Sequence, residues 1–326
     1  MNPVGTSSIV FVTLSGLFWG GWVVGSQTPE GQEALARAYA AYASQQSEHN
    51  EDLFAPTALR ALVCGAGASA DARQEARPCL AVVAAGKLFV IDAGAGAADA
   101  LQGRNVPLNR LEAVLLTNAG FTQTADLDVL YQRAAFGRTN QLLPVYGPGD
   151  TQRMVEGLNA AGGLDGIASG LQAWAPAPEP GRSVIVYEAE GLIVSAFTTD
   201  EDFDVGRVGY RFDYRGRSLV VAGDGRAEWA HAAANADVVL HGAQSQALSQ
   251  LHSPASPLAT VAEVAAEARL ANAGTVVLTG AADDSVSAAI QVSEARAAGL
   301  DDVIAGRIGM LLELPLANQD VNVRPL

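Results

Sequence analysis

Cysteine is almost absent from this chain of 326 residues; Cys64 and Cys79 are the only two, so neither a disulfide framework nor a zinc site of three or four thiolates is available. Histidine is nearly as scarce: His49, His231, His241 and His252 are few imidazoles for a metalloenzyme. Positive charge is also short, with 20 Lys and Arg against 35 Asp and Glu. The resulting net charge of −15 repels phosphate backbones and argues against nucleic-acid binding through a broad basic face. Charged residues make up only 17% of the chain while hydrophobic ones reach 49%, a balance that excludes intrinsic disorder and supplies an ordinary core.

Long apolar runs are confined to the N-terminus. Residues 9–25 read IVFVTLSGLFWGGWVVG, seventeen residues without a charge, nearly the length that crosses a bilayer. The segment before it lacks the basic residues of a secretory signal, so the run predicts an uncleaved single-pass anchor over residues 1–26. Gly16 and Gly20, and one residue on Gly21 and Gly25, give small-residue faces on which a partner helix in a membrane complex could pack. Trp19 and Trp22 suit the interface at the end of such a span. A single N-terminal anchor commonly tethers an exported domain, which makes the periplasm the expected side. Residues 27–59 are alanine-rich with a thin apolar face and read as a juxtamembrane helical stalk.

From residue 60 to 326 short apolar runs such as LAVVAA, KLFVID, LIVSAF, RSLVVAGD and TVVLTG alternate with amphipathic stretches, the pattern of a layered α/β domain. Helices are expected at about 97–103, 125–135, 149–160, 258–271 and 285–298, and the Pro-rich segment 174–183 as an extended connection. The strand, Gly-rich turn and helix of KLFVIDAGAGAADAL imitate a dinucleotide-binding turn at Gly94 and Gly96. Asp99 then stands where that motif needs its third glycine, so the turn reads as close strand-to-helix packing. Cys64 ends one strand and Cys79 opens the next, close enough for a disulfide, with two buried thiols as the alternative.

In order, LVCGAGAS, KLFVIDAGAGAADAL, LEAVLLTNAGFTQTADLDVL, VGYRFDYRGRSLVVAGD, ADVVLHGAQS, HSPASPLATVAEVAAEA and TVVLTG resemble the ribonuclease Z and arylsulfatase-like branch of the metallo-β-lactamase fold. The resemblance implies a four-layer αβ/βα sandwich, a binuclear zinc centre between its halves, and hydrolysis by a metal-bound hydroxide. The metal-binding positions are where this chain departs from the family. After Thr117 the family carries H-x-H-x-D-H; here Asn118, Gly120, Thr122 and Gln123 occupy those four places. An Asp-His pair upstream of VGYRFDY aligns with Asp200 and Glu201, or, with a shift of one or two residues, with Asp202, and the last ligand, in L-T-H, is Gly280. Of seven ligand positions only Asp224 is intact. His252, which opens the H-S motif, has lost the glutamate that orients it, because Gly242 stands there.

These losses predict no metal, no cofactor and no catalytic residues, with Asp224 and His252 as relics. Asp224 reads as a cap on a helix over RAEWAHAAA, and His241 as a packed strand end. The expected function is a membrane-anchored pseudoenzyme serving as an accessory, scaffolding or binding subunit. Two alternatives remain open: a residual or repurposed phosphodiesterase or esterase with a hard cation at Asp224 and Glu201, and a small-ligand module in a cleft enlarged at Gly120 and Gly280.

Overall fold

The computed structural model describes residues 51–65, 77–135, 142–164, 169–199, 206–226, 229–247, 258–281 and 285–326, together with Pro29, Gln32, Glu33 and Arg37. The chain divides into two units, Met1–Asp52 and Leu53–Leu326. In the first, Arg37 and Glu33 form an exposed i,i+4 ion pair at 2.8 Å. The expected anchor with Gly16, Gly20, Gly21 and Gly25 lies outside the described residues. Among the described residues no helix is long and apolar enough to cross a membrane. The second unit begins ahead of the expected boundary at residue 60, because Leu53 and Phe54 are already buried in its core.

Its architecture is two sheets. One runs in the order β15-β14-β1-β2-β3-β4-β5-β6 and the other β13-β12-β11-β10-β9-β8-β7. In the first, β1 (Ala58–Gly65), β2 (Cys79–Ala84) and β3 (Lys87–Ile91) are antiparallel, whereas β4 (Leu111–Leu115), β5 (Leu142–Tyr146) and β6 (Gly170–Trp174) continue in parallel from β3. The second repeats the plan. Strands β7 (Ser183–Ala189), β8 (Leu192–Thr198), β9 (Val208–Tyr214) and β10 (Arg217–Val221) are antiparallel, and β11 (Val238–His241), β12 (Thr275–Leu278) and β13 (Val303–Ala305) are parallel to β10. Strands β14 (Met310–Pro315) and β15 (Asn322–Pro325) return to the first sheet beside β1.

Three hairpins share one local device. Ala85-Gly86, Glu190-Gly191 and Arg215-Gly216 all take positive φ at both turn residues, the two-residue geometry whose twist matches that of the flanking strands. The parallel strands need helical crossovers instead. These are α1 (Ala97–Gln102), α2 (Phe121–Thr124), α3 (Leu127–Ala135), α4 (Thr151–Ala161), α5 (Val261–Leu270) and α6 (Ser285–Ala297). Thr260 and Glu263 cap α5 reciprocally, each side chain meeting the other's backbone N–H.

One apolar layer lies between the sheets and one beneath each set of helices, giving four layers. In the middle layer Phe89 of β3 meets Phe212 of β9 edge to face, ring centroids 5.8 Å apart. Arg217, only 1% exposed, ties the sheets at one end: it pairs with Asp237 at 3.2 Å and donates to the carbonyls of Pro315 and Asn318. Among the described residues between β10 and β11 there is no helix; Ala230–Asn235 are turns, and Trp229 is buried in the core with Val239 of β11.

Cys64 and Cys79 are joined as a disulfide across β1 and β2, both sulfurs buried in the core. Closing a loop with a sequence separation of 15 is worth about 3 kcal/mol by the chain-entropy account. Cys64→Ala/Cys79→Ala is expected to lose roughly that much in urea unfolding, and reductant is expected to lower the stability of the parent but not of the variant.

Candidate functional site

The parallel strands of both sheets end on the same side of the sandwich, where loops are freed from the ladder. There a cavity of about 310 Å³ opens between the residues that follow β3, β4, β10, β11 and β12. Asp92, Thr117, Asn118, Asp224, Gly242 and Thr279 line it, together with Gln123 on α2 and Arg207 immediately before β9. Of the positions singled out from sequence, Asn118, Gly120, Thr122, Gln123 and Asp224 therefore converge on one wall-to-wall space. Glu201 and His252 lie outside the described residues.

The loop after β4 is closed on itself. Asn118 Oδ1 accepts the Gly120 amide at 2.9 Å, Thr124 Oγ1 donates to the Gly120 carbonyl at 2.9 Å, and Thr122 Oγ1 donates to Gln123 Oε1. Gly120 has space for its missing side chain only if Asn118 and Gln123 move, since a Cβ there would lie 2.7 Å from Asn118 Oδ1.

Beneath this loop sits Asp92, buried, which no sequence motif singles out. Its Oδ1 accepts the Thr117 amide and its Oδ2 pairs with Thr117 Oγ1, both at 2.8 Å, so it splices the end of β3 to the end of β4. Burial pushes its carboxyl up to about 8, against the two Thr117 hydrogen bonds that pull it down; the Asp224 charge adds to the rise. At neutral pH Asp92 is consequently a neutral acid. Its φ of +58° is one that Asp and Asn tolerate.

Asp224 is an ion-pair partner, which corrects its expected role as a helix cap. Arg207 Nη1 lies 3.0 Å from Asp224 Oδ1, and the two side chains are only 14% and 16% exposed. Burial raises the Asp224 carboxyl and the Arg207 guanidinium opposes that rise. Nothing in the pattern of arginines at 207, 211 and 215 distinguished Arg207 beforehand.

At Gly280 a second expectation fails: it does not enlarge the cleft. A Cβ there would be 1.9 Å from the Ala243 carbonyl oxygen, so the backbone of the β11 loop already fills the space a histidine needs. Thr279, one residue earlier, is the residue that faces the cavity. His241 is packed as expected, 1% exposed with its ring 5.8 Å from that of Trp229. Burial holds it down to about 4, with the Gly225 backbone opposing weakly, so it is neutral at physiological pH.

Zinc requires several imidazole, thiolate or carboxylate ligands in one shell. The described residues do not fit that demand. None of them form a group of three His, Cys, Asp or Glu able to hold an ion. One cavity carboxylate is bound to Thr117 and the other to Arg207.

No protein-family model matches the chain. It is 29% identical to ribonuclease Z of Mycobacterium sp. (strain KMS) over 174 residues, 51% of this chain, and spans only 61% of that relative's length. Identity is also 29% to ribonuclease Z of Mycolicibacterium paratuberculosis (strain ATCC BAA-968 / K-10) over 245 residues, 68% of this chain and 85% of that protein. Among solved structures, the metallo-beta-lactamase fold protein YhfI from Bacillus subtilis matches with a TM-score of 0.64 and 19% identity, covering 79% of this chain and 99% of that one.

A carboxyl kept protonated by the fold weakens folding as pH rises, because the unfolded chain releases its proton near pH 4 and the native one only near pH 8. Asp92→Asn keeps both Thr117 contacts without the charge. Its stability relative to the parent is expected to improve by up to about 1.4 kcal/mol per pH unit across that window and to level off above it. Urea titrations of both proteins at pH 5, 6, 7 and 8 measure the gap; a constant difference would mean that Asp92 is ionised throughout.

Proposed function

Starting from a chain with the metallo-β-lactamase fold in its ribonuclease Z-like branch, we propose that it is a catalytically silent member that works by binding. The supporting observation is the state of the site where that branch holds its zinc ions. Amides and hydroxyls replace the ligand loop and are bonded to one another, and the surviving carboxylate already has a cation beside it. The cavity itself, about 310 Å³, is at the small end of ligand-site volumes and would serve a small polar ligand.

The apolar run at residues 9–25 supports a second part of the proposal, that the protein is a single-pass accessory or scaffolding subunit of a membrane complex. Its glycine faces would meet a partner helix and its acidic domain, on the periplasmic side, would be the docking surface. The likeness to ribonuclease Z favours one rival, a residual hydrolase acting through Asp224.

Metal content separates the two. Full-length protein purified in detergent without chelator, then incubated with Zn²⁺, Mn²⁺, Mg²⁺ or Ca²⁺ and desalted, is expected to retain well under one ion per chain by mass spectrometry of the elements. One or two retained ions, with phosphodiesterase turnover lost in Asp224→Ala at unchanged folding, would make it a hydrolase.

A further inference from the structure

The cavity contains an arginine at the one ligand position that survives, and the packing around it is specific. Arg207 immediately precedes β9; its carbonyl accepts the Thr199 amide at 3.1 Å and the next amide, that of Val208, donates to the Thr117 carbonyl at 2.9 Å. Its backbone is thus fixed to the loop that carries Asn118. Its stem passes over Gly225, where a Cβ would stand 3.5 Å from Arg207 Cδ and 2.6 Å from the Thr199 carbonyl oxygen. On the other side Asp224 lies against Gly242, where a Cβ would come within 3.2 Å of Asp224 Cβ. A Cβ at Gly225 would strike the Thr199 carbonyl and not the arginine, whereas one at Gly242 would press on Asp224, so Gly242 is the glycine that leaves room for the carboxylate.

We infer that Arg207 supplies, as part of the chain, the positive charge that a metal would otherwise bring to Asp224, and that by doing so it closes the site to divalent cations. This rests on the silent-member reading above. A carboxylate with little solvent around it needs a counter-charge. A guanidinium provides one permanently, since it does not lose its proton in proteins. A divalent ion approaching Asp224 would meet that charge within a few ångströms in a medium that screens poorly. The loop after β4, closed by its own amides and hydroxyls, and the Arg207–Asp224 pair are then one arrangement: a cation that is part of the chain stands where a dissociable one would.

The test is a double-mutant cycle on the full chain with Arg207→Met, Asp224→Asn and both together, read as thermal midpoints with and without millimolar Mn²⁺. Arg207→Met alone strands the carboxylate and is expected to lower the midpoint by roughly 5–10 °C. The double variant should lose clearly less than the sum of the singles, because removing the carboxylate removes the need for the cation. Mn²⁺ should restore part of the loss in Arg207→Met while leaving the parent and the double variant unmoved. Should Arg207→Met not accumulate folded, the double variant still must, and its failure to fold would overturn the assignment. Additive losses would remove the charge-replacing role, and a parent stabilised by Mn²⁺ as much as Arg207→Met would remove the exclusion. Additive losses leave catalytic silence untouched, since that stands or falls on the metal retained by the parent; a parent stabilised by Mn²⁺ would count against both readings.

Discussion

Burial of two sheet faces against each other, with Phe89, Tyr210, Phe212 and Tyr214 between them, fixes where every strand ends and hence where every loop of the site begins. Each of these aromatic side chains removes far more apolar surface from water than any single polar contact contributes in return. Because the layer is shared, a strand cannot slip by one residue without turning its apolar set outward. The positions of Asp92 after β3, Thr117 after β4 and Asp224 after β10 follow from that register. The site is held by the core and not by whatever occupies it, which is why the scaffold can outlast a change in its chemistry.

Inside the cavity, electrostatics follow a consistent rule: no buried charge is left alone. Asp92 avoids the problem by holding its proton, and Asp224 meets it with Arg207. Outside the cavity lining, packed against Trp229 in the core, His241 stays neutral. A metal centre imposes the opposite rule, because clustered anions are stable only while the ion is present. In this chain the charge of Asp224 is balanced by a residue of the chain itself. That balance needs room as much as charge, and Gly242 leaves it beside Asp224.

Much of this fold is legible in sequence because its signals are local. Runs such as KLFVI and LIVSAF became β3 and β8, and the helix expected at about 258–271 is α5. Strands β6 and β13 were not legible, since GLQAW has no clear alternation and VIA is only three residues long. Where a helix was expected over RAEWAHAAA, Ala230–Ala234 are turns instead, with Trp229 buried ahead of them.

The sequence by itself determined the layered α/β class, the replacement of the histidine loop and the excess of negative charge, all properties of residue type and spacing. Only the tertiary structure could decide what became of the surviving carboxylate. Arg207 and Asp224 are 17 residues apart in the chain and are brought to 3.0 Å by the end of one strand meeting the start of another. Likewise Gly280 looked like vacated space and is in fact filled by the Ala243 backbone. Pattern reports which side chains are present; whether a group is paired, protonated or crowded depends on neighbours that only packing selects.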